Sequence, residues 1–142
     1  MPLVIDIADA VVAELAGGFF CEEITPQRRV LPDFELAELA ELRVTVVPKA
    51  TEIAGGTRSV CRYDVQVDIG IQKKLGTDLD AEVAALCGLT DEIAEFLRKR
   101  PLAAAPWAAW VGIANEPVYA PEHLAEQRAF TSVLTVTYRA MK

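Results

Sequence analysis

The chain has 142 residues, of which 52% are hydrophobic and 25% charged, and it carries a net charge of −7. This composition is typical of one packed domain over residues 1–142 and excludes a disordered chain. The excess of acids disfavours attraction to polyphosphate, so we expect no sequence-specific nucleic-acid binding. No apolar run approaches the roughly 18 residues of a membrane helix. Asp6 and Asp9 interrupt the opening apolar stretch, unlike a signal peptide, and we expect a cytoplasmic product.

The first predicted element is a helix over residues 2–16. Its apolar residues recur at helical spacing, and Gly17 and Gly18 are typical of a helix end. Two short β-branched segments follow, ITPQRRVL (24–31) and LRVTVVPK (42–49), and both predict strands. The segment PDFELAELAE (32–41) between them fits either one helical turn or a loop.

Residues 62–72, RYDVQVDIGIQ, alternate in polarity and predict a strand with one apolar and one polar face. The apolar positions are Tyr63, Val65, Val67, Ile69 and Ile71. The polar positions are Arg62, Asp64, Gln66, Asp68 and Gln72. The preceding ATEIAGGTRS, residues 50–59, contains Gly55 and Gly56 and predicts a long hairpin that could project beyond the sheet.

A second helix is predicted from an apolar stripe that runs from Leu79 to Leu97. Thr77 or Asp78 caps its start, Arg98, Lys99 and Arg100 lie at the negative end of its dipole, and Pro101 ends it. Beyond it, PWAAWVGI (106–113) and FTSVLTVTYRAM (130–141) predict strands on either side of a Pro-rich loop, residues 114–127. Together these elements predict an α+β fold. We expect a two-layer sandwich in which two main helices cover one face of an antiparallel or mixed sheet of about five strands.

Motifs for catalysis or metal binding are missing from the sequence. His123 is the only histidine, so no His-based metal cluster can form within one chain, and we expect its side chain to be solvated. Cys21, Cys61 and Cys87 lack metal-ligand spacing, and we expect three small buried side chains. We therefore predict no catalytic, cofactor-binding or metal residues, and no enzymatic activity.

Two pairs of residues were candidates for a site. Asp64 and Asp68 share a strand face but are separated by roughly 13 Å at about 3.3 Å per residue, too far to share a proton, so a solvated or subunit-facing surface is the better interpretation. Trp107 and Trp110 do not share a strand face. Either both are at least half buried in the monomer, or one is an interface anchor, for which we take Trp110.

Three stretches of the chain carry a resemblance: FELAELAELRVTVVPKA, RYDVQVDIGIQKKL and WVGIANEPVYAPEHLAEQRAFTSVLTVTYR. They resemble small proteins encoded among the head–tail joining genes of tailed bacteriophages and prophages, over nearly the whole chain. In size, acidity and order of elements the chain is similar to tail terminator (tail completion) proteins, which form a hexameric ring that closes the tail tube and offers a surface to the head connector. The resemblance implies a homo-oligomer without cofactors, with tail-tube and head-connector proteins as partners, present in the virion and in the bacterial host cytoplasm during assembly. Head-closure and minor tail proteins of this size are alternatives.

A ring would give the polar strand face a role. Its residues could pair with a neighbouring subunit or face the channel, where acids would repel passing DNA, while the hairpin reaches a neighbour. The candidate interface residues are Lys49, Glu52, Arg58, Arg62, Asp64, Gln66, Asp68 and Trp110. A different class of function is a small-ligand-binding protein or enzyme with a pocket under the 115–124 loop, where Tyr119 and His123 would supply polar groups. A scaffold or assembly chaperone is a third alternative.

Overall fold

The computed structural model of the protein describes residues 2–30, 40–116 and 118–142. The elements are α1 (Leu3–Ala16), β1 (Pro26–Arg28), β2 (Arg43–Gly55), β3 (Cys61–Lys74), α2 (Leu79–Leu97), β4 (Ala109–Asn115), α3 (Pro121–Gln127) and β5 (Ala129–Met141). The strands form one sheet in the order β1-β2-β3-β5-β4, in which β1 runs parallel to β2 and the other pairs are antiparallel. The predicted α+β fold with a five-stranded sheet is confirmed.

The two long helices form where the sequence predicts them. Asp78 is the residue that caps α2, since its carboxylate accepts a hydrogen bond from the backbone N–H of Ala81 at 3.3 Å. Each helix buries one stripe of apolar residues, such as Ile7 and Val11 on α1 and Ile93 on α2, all fully buried. Burying each such side chain contributes about 1.5–3 kcal/mol, so these stripes hold the helices on the sheet. None of the helices in the described ranges is long and apolar enough to cross a membrane.

The alternation of β3 and β5 places one face of the sheet in the core. Val67 pairs with Val136 and Ile69 with Leu134, and all four side chains are buried. The intervening residues point to the opposite face, because successive strand residues alternate between faces. The buried residues of both long helices belong to the core on the first face. The predicted two faces of residues 62–72 are therefore found.

The predicted hairpin joins β2 to β3. Its pairing continues to Gly55 opposite Cys61, and the backbone N–H of Thr57 donates to the carbonyl of Val60 at 2.9 Å to close the tip. A Cβ at Gly56 would lie 2.8 Å from that same carbonyl oxygen, so this turn requires glycine. Strand β1 pairs only with residues 44–46 of β2, and residues 49–53 are exposed.

Two expectations about cysteines were wrong. Cys21 and Cys61 are exposed, and only Cys87 is partly buried against the core. Cys61 lies at the start of β3, beside the tip of the hairpin, where it pairs with Gly55. Cys21 lies in the connection after α1. The predicted alternatives for residues 32–41 fall almost entirely outside the described residues.

The loop predicted over residues 114–127 contains a short helix, α3. Pro121 is compatible with a helix because it stands in the first turn, where its missing N–H leaves no hydrogen bond unmade. Arg128 ends the helix in the left-handed conformation, with φ of 51°. The expectation of a solvated His123 was wrong, since His123 lies on α3 with its side chain partly buried.

Candidate protein–protein interface

The face of the sheet opposite the core carries an ordered set of charged and neutral polar side chains. We call this set the polar face: Lys49, Glu52, Arg62, Asp64, Gln66, Asp68, Thr135, Thr137 and Arg139. The pairing of β3 with β5 places Arg139 opposite Asp64. The Arg139 guanidinium donates two hydrogen bonds to this carboxylate, from Nε to Oδ1 at 2.8 Å and from Nη2 to Oδ2 at 3.2 Å. Arg62 adds a second cation, with its Nε 3.7 Å from Oδ2 of Asp64.

This contact affects the protonation of both partners. The hydrogen bonds from Arg139 hold the pKa of Asp64 below its ordinary value, and the nearby charges of Arg139 and Arg62 act in the same direction. The same hydrogen bonds raise the pKa of Arg139. The pair therefore stays charged at neutral pH, and its two parallel hydrogen bonds fix the orientation of both side chains.

Asp68 is held by two further residues. The Thr135 hydroxyl donates to Asp68 Oδ1 at 2.6 Å, and Lys49 Nζ lies 3.8 Å from the same oxygen. Lys49 is the extra residue of a β-bulge, because Pro48 pairs with Val67 and the next pair joins residues 50 and 66. A bulge redirects the side chain of its extra residue. Here the extra residue is Lys49, and its side chain reaches the Asp68 carboxylate on the neighbouring strand.

Glu52 and Arg58 differ from the other charged residues of the predicted interface because they make no ion pair within the described ranges. Glu52 pairs directly with Asp64 across the strands, an arrangement in which like charges repel. Arg139 and Arg62 offset the charge of Asp64, whereas neither Glu52 nor Arg58 makes an ion pair with any residue in the described ranges. A concavity of about 360 Å³ adjoins Glu52, Asp64 and Gln66. The charged side chains of Glu52 and Arg58 therefore remain available to an outside partner.

The end of the hairpin exposes apolar surface as well as charge. Ile53 is 61% exposed although its position in β2 pairs with Tyr63, on the side of the sheet that faces the helices elsewhere. Tyr63 is partly buried, and the amine of Lys142 lies 5.9 Å from the centre of its ring. The hairpin therefore presents an uncovered apolar residue on one side and the polar face on the other.

The two tryptophans differ in exposure. Trp107 is 49% exposed, while Trp110 is partly buried against the core, and its indole N–H has no hydrogen-bond partner in the part of the chain that the structure describes. Both are thus at least half buried, as the simpler interpretation expects. The more exposed aromatic is Trp107 rather than Trp110, which was the proposed anchor.

The 115–124 loop uses its polar groups to contact β5. His123 Nδ1 lies 2.9 Å from the Thr131 hydroxyl oxygen, and the Tyr119 ring lies 6.5 Å from the Phe130 ring, centre to centre. The backbone N–H of Ala120 also donates to the carbonyl of Thr131 at 2.9 Å. Tyr119 and His123 therefore hold the loop on the sheet, which gives both a structural role.

Arg139 and Thr135 are residues of this face that the sequence interpretation did not select. Their alternation with buried residues along β5 was visible in the sequence, but the identity of the neighbouring strand was not.

No protein-family model matches the chain, and no curated protein matches it. Across residues 2–30, 40–116 and 118–142, no group of three or more His, Cys, Asp or Glu side chains could hold a metal ion.

Proposed function

We propose that this chain is a virion structural protein of a phage head–tail junction, acting as a tail terminator subunit that assembles into a hexameric ring. The observation that carries the proposal is the β2–β3 hairpin. Its residues 49–53 are exposed, and β1 leaves the outer edge of β2 unpaired beyond residue 46 within the described part of the chain. An open strand edge with uncovered side chains is a ready surface for another protein chain.

The polar face supports the same proposal. Its ion pairs hold Arg139, Asp64 and Asp68 in fixed positions before any partner arrives, so little side-chain freedom is lost on association. Mixed charges at an interface favour one register and one partner more than they add to affinity. A ring of identical subunits needs such a register, because each copy must meet the next in the same orientation.

The sequence resemblance narrows the proposal to the head–tail junction. On this proposal the partners are further copies of the chain, the tail tube and the head connector, and the protein acts through assembly alone, without a cofactor. It works in the virion and is present in the host cytoplasm while tails are being completed.

The test is the native mass of the purified protein over a wide range of concentrations, alone and with tail-tube protein from the same phage. A hexamer, or a monomer that assembles only on the tube, supports the proposal. A monomer that neither self-associates nor binds the tube overturns the proposal and favours the alternative of a ligand-binding protein.

Charge reversal connects this measurement to the polar face and the hairpin. We expect Glu52→Lys and Arg58→Glu to weaken assembly, because both side chains lack an ion-pair partner within the described chain. Glu122→Lys is the matched control, since Glu122 is exposed on α3, which contacts the end of β5 remote from the hairpin. The control should assemble as the unchanged protein does.

A further inference from the structure

An apolar cleft lies at the N-terminal end of α1, outside the polar face. Its volume is about 210 Å³. It is lined by Leu3, Asp6, Trp107, Ala140, Met141 and Lys142. Trp107 and Met141 are 49% and 54% exposed, so the cleft opens to solvent between two large apolar side chains.

A single aromatic side chain projects at the other end of α1. Phe19 is 99% exposed and follows the last residue of the helix by three positions. Its neighbour Phe20 packs edge-on against Phe96, with ring centres 5.2 Å apart. A Cβ at Gly18 would lie 2.8 Å from the Phe20 ring, so this ring is closely confined. With Phe20 fixed inward, Phe19 is held outward before any partner binds.

We propose that Phe19 of one copy enters the Trp107–Met141 cleft of a second copy. The charges beside the two features are complementary. Glu23 is exposed near Phe19 and has no ion-pair partner in the described ranges. Lys142 lines the cleft, and its amine, 5.9 Å from the centre of the Tyr63 ring, makes no ion pair with a described carboxylate. Asp6 also lines the cleft, so the Glu23 carboxylate belongs on the Lys142 side.

The placement of the two features determines the kind of assembly. They flank α1, a helix of 14 residues, whose length is about 21 Å at 1.5 Å per residue. A projection at one end and a cleft at the other give a head-to-tail contact, which closes into a ring or extends into a filament. This inference rests on the proposed ring and names one of its contacts.

The contact is an anchor rather than a whole interface. A fully buried Phe or Trp accounts for about 150–250 Å², and Trp107 is already about half buried in the monomer, whereas a stable interface buries about 1,200–2,000 Å² in total. The remainder must come from other surfaces, and the hairpin and the polar face are the exposed candidates. Aromatic anchors of this kind often dominate the binding energy of an interface.

The test compares assembly of Phe19→Ala and Trp107→Ala with that of the unchanged protein by native mass and sedimentation. Loss of a buried aromatic contact should weaken association by about tenfold or more. Val30→Ala is the control, because Val30 is also a strongly exposed apolar residue, at 79%. Circular dichroism should show all three variants folded, since each altered side chain is at least about half exposed.

A charge exchange tests the pairing itself. Glu23→Lys and Lys142→Glu should each weaken assembly, and the double variant should recover it, which a merely structural role of either residue would not produce. Assembly of Phe19→Ala at the unchanged strength would overturn the contact. So would a Phe19→Ala ring that forms normally and has lost only its affinity for the tail tube.

The outcome for the unchanged protein separates this inference from the proposed function. If the unchanged chain never assembles, alone or on a tail tube, the proposed function fails and the contact fails with it. If it forms a ring that Phe19→Ala and the charge reversals leave intact, the contact alone is refuted and the ring stands.

Discussion

The same substitution at two positions of one hairpin separates packing within the monomer from contacts between subunits. Ile53 lies near the tip of the hairpin and is 61% exposed, whereas Ile69 lies on β3 in the core and is 0% exposed. Both sit on the side of the sheet that faces the helices. We predict that Ile53→Ala weakens assembly with little effect on the monomer, and that Ile69→Ala destabilises the monomer.

The magnitudes follow from burial. Complete burial of an isoleucine contributes about 1.5–3 kcal/mol, and Ile53 hides about two-fifths of its surface, so Ile53→Ala should lower the free energy of unfolding by about 1 kcal/mol. Ile69→Ala also leaves a cavity in a packed core, and should cost about 2–5 kcal/mol.

Urea unfolding followed by tryptophan fluorescence measures the stability of the monomer, at concentrations where the protein does not assemble. Native mass at higher concentrations measures assembly. If Ile53→Ala destabilises the monomer as much as Ile69→Ala, the hairpin tip is packed in solution and the reasoning is wrong. If Ile53→Ala leaves assembly unchanged, the tip makes no contact between subunits.

Three further predictions concern stability. The Ala103 N–H and the Arg100 guanidinium donate to Glu14 at 2.7 and 2.9 Å and lower its pKa, so the stability they provide is complete above pH 4.5 and is lost as pH falls through the lowered pKa. Glu14→Gln should cost about 1.5–3 kcal/mol at pH 7 and flatten this acid dependence in urea titrations. Tyr138 is fully buried, and its hydroxyl has no hydrogen-bond partner within the described ranges, so Tyr138→Phe should raise the unfolding free energy by about 1 kcal/mol or more; a lower melting temperature would contradict this. Asp78→Ala should lower the unfolding free energy by about 1 kcal/mol through loss of the α2 cap, and Asp78→Asn should keep most of it.

Local patterns predicted the parts of this fold that depend on local physics. The period of two in residues 62–72 identified the buried side of β3, and the start and apolar stripe of α2 were predicted because stripe and cap lie within one segment. The end of α2 was not, since the helix ends at Leu97, before the basic residues 98–100 that were expected to belong to it. The ion pair between Asp64 and Arg139 joins residues that are 75 positions apart, and it depends on which strands are neighbours and in which register. Nothing in a single sequence states that pairing. The bulge at Lys49 could not be predicted from the sequence for the same reason, since a bulge is defined by the pairing of β2 with β3.

The exposed Cys61 shows a second limit of periodicity. Cys61 has the same phase along β3 as Tyr63 and Val65, so alternation correctly assigns it to the apolar face. Exposure depends also on whether another element packs over that end of the strand, and Cys61 remains exposed beside the hairpin. The same uncovered stretch leaves Ile53 exposed, so the feature that made the burial prediction fail is the one that carries the proposed function.

The charges of the polar face help to choose between its two possible uses. Lys49, Arg62 and Arg139 balance Glu52, Asp64 and Asp68, so this face is close to neutral although the chain as a whole carries −7. A channel lining that repels DNA needs an excess of acids, and those acids must lie elsewhere in the chain. A balanced, internally paired face with one unmatched carboxylate suits contact with a second protein surface, because opposite charges fix the register without strong repulsion between identical copies. If the proposed ring forms, we therefore expect the polar face to lie in contacts between subunits rather than along the channel.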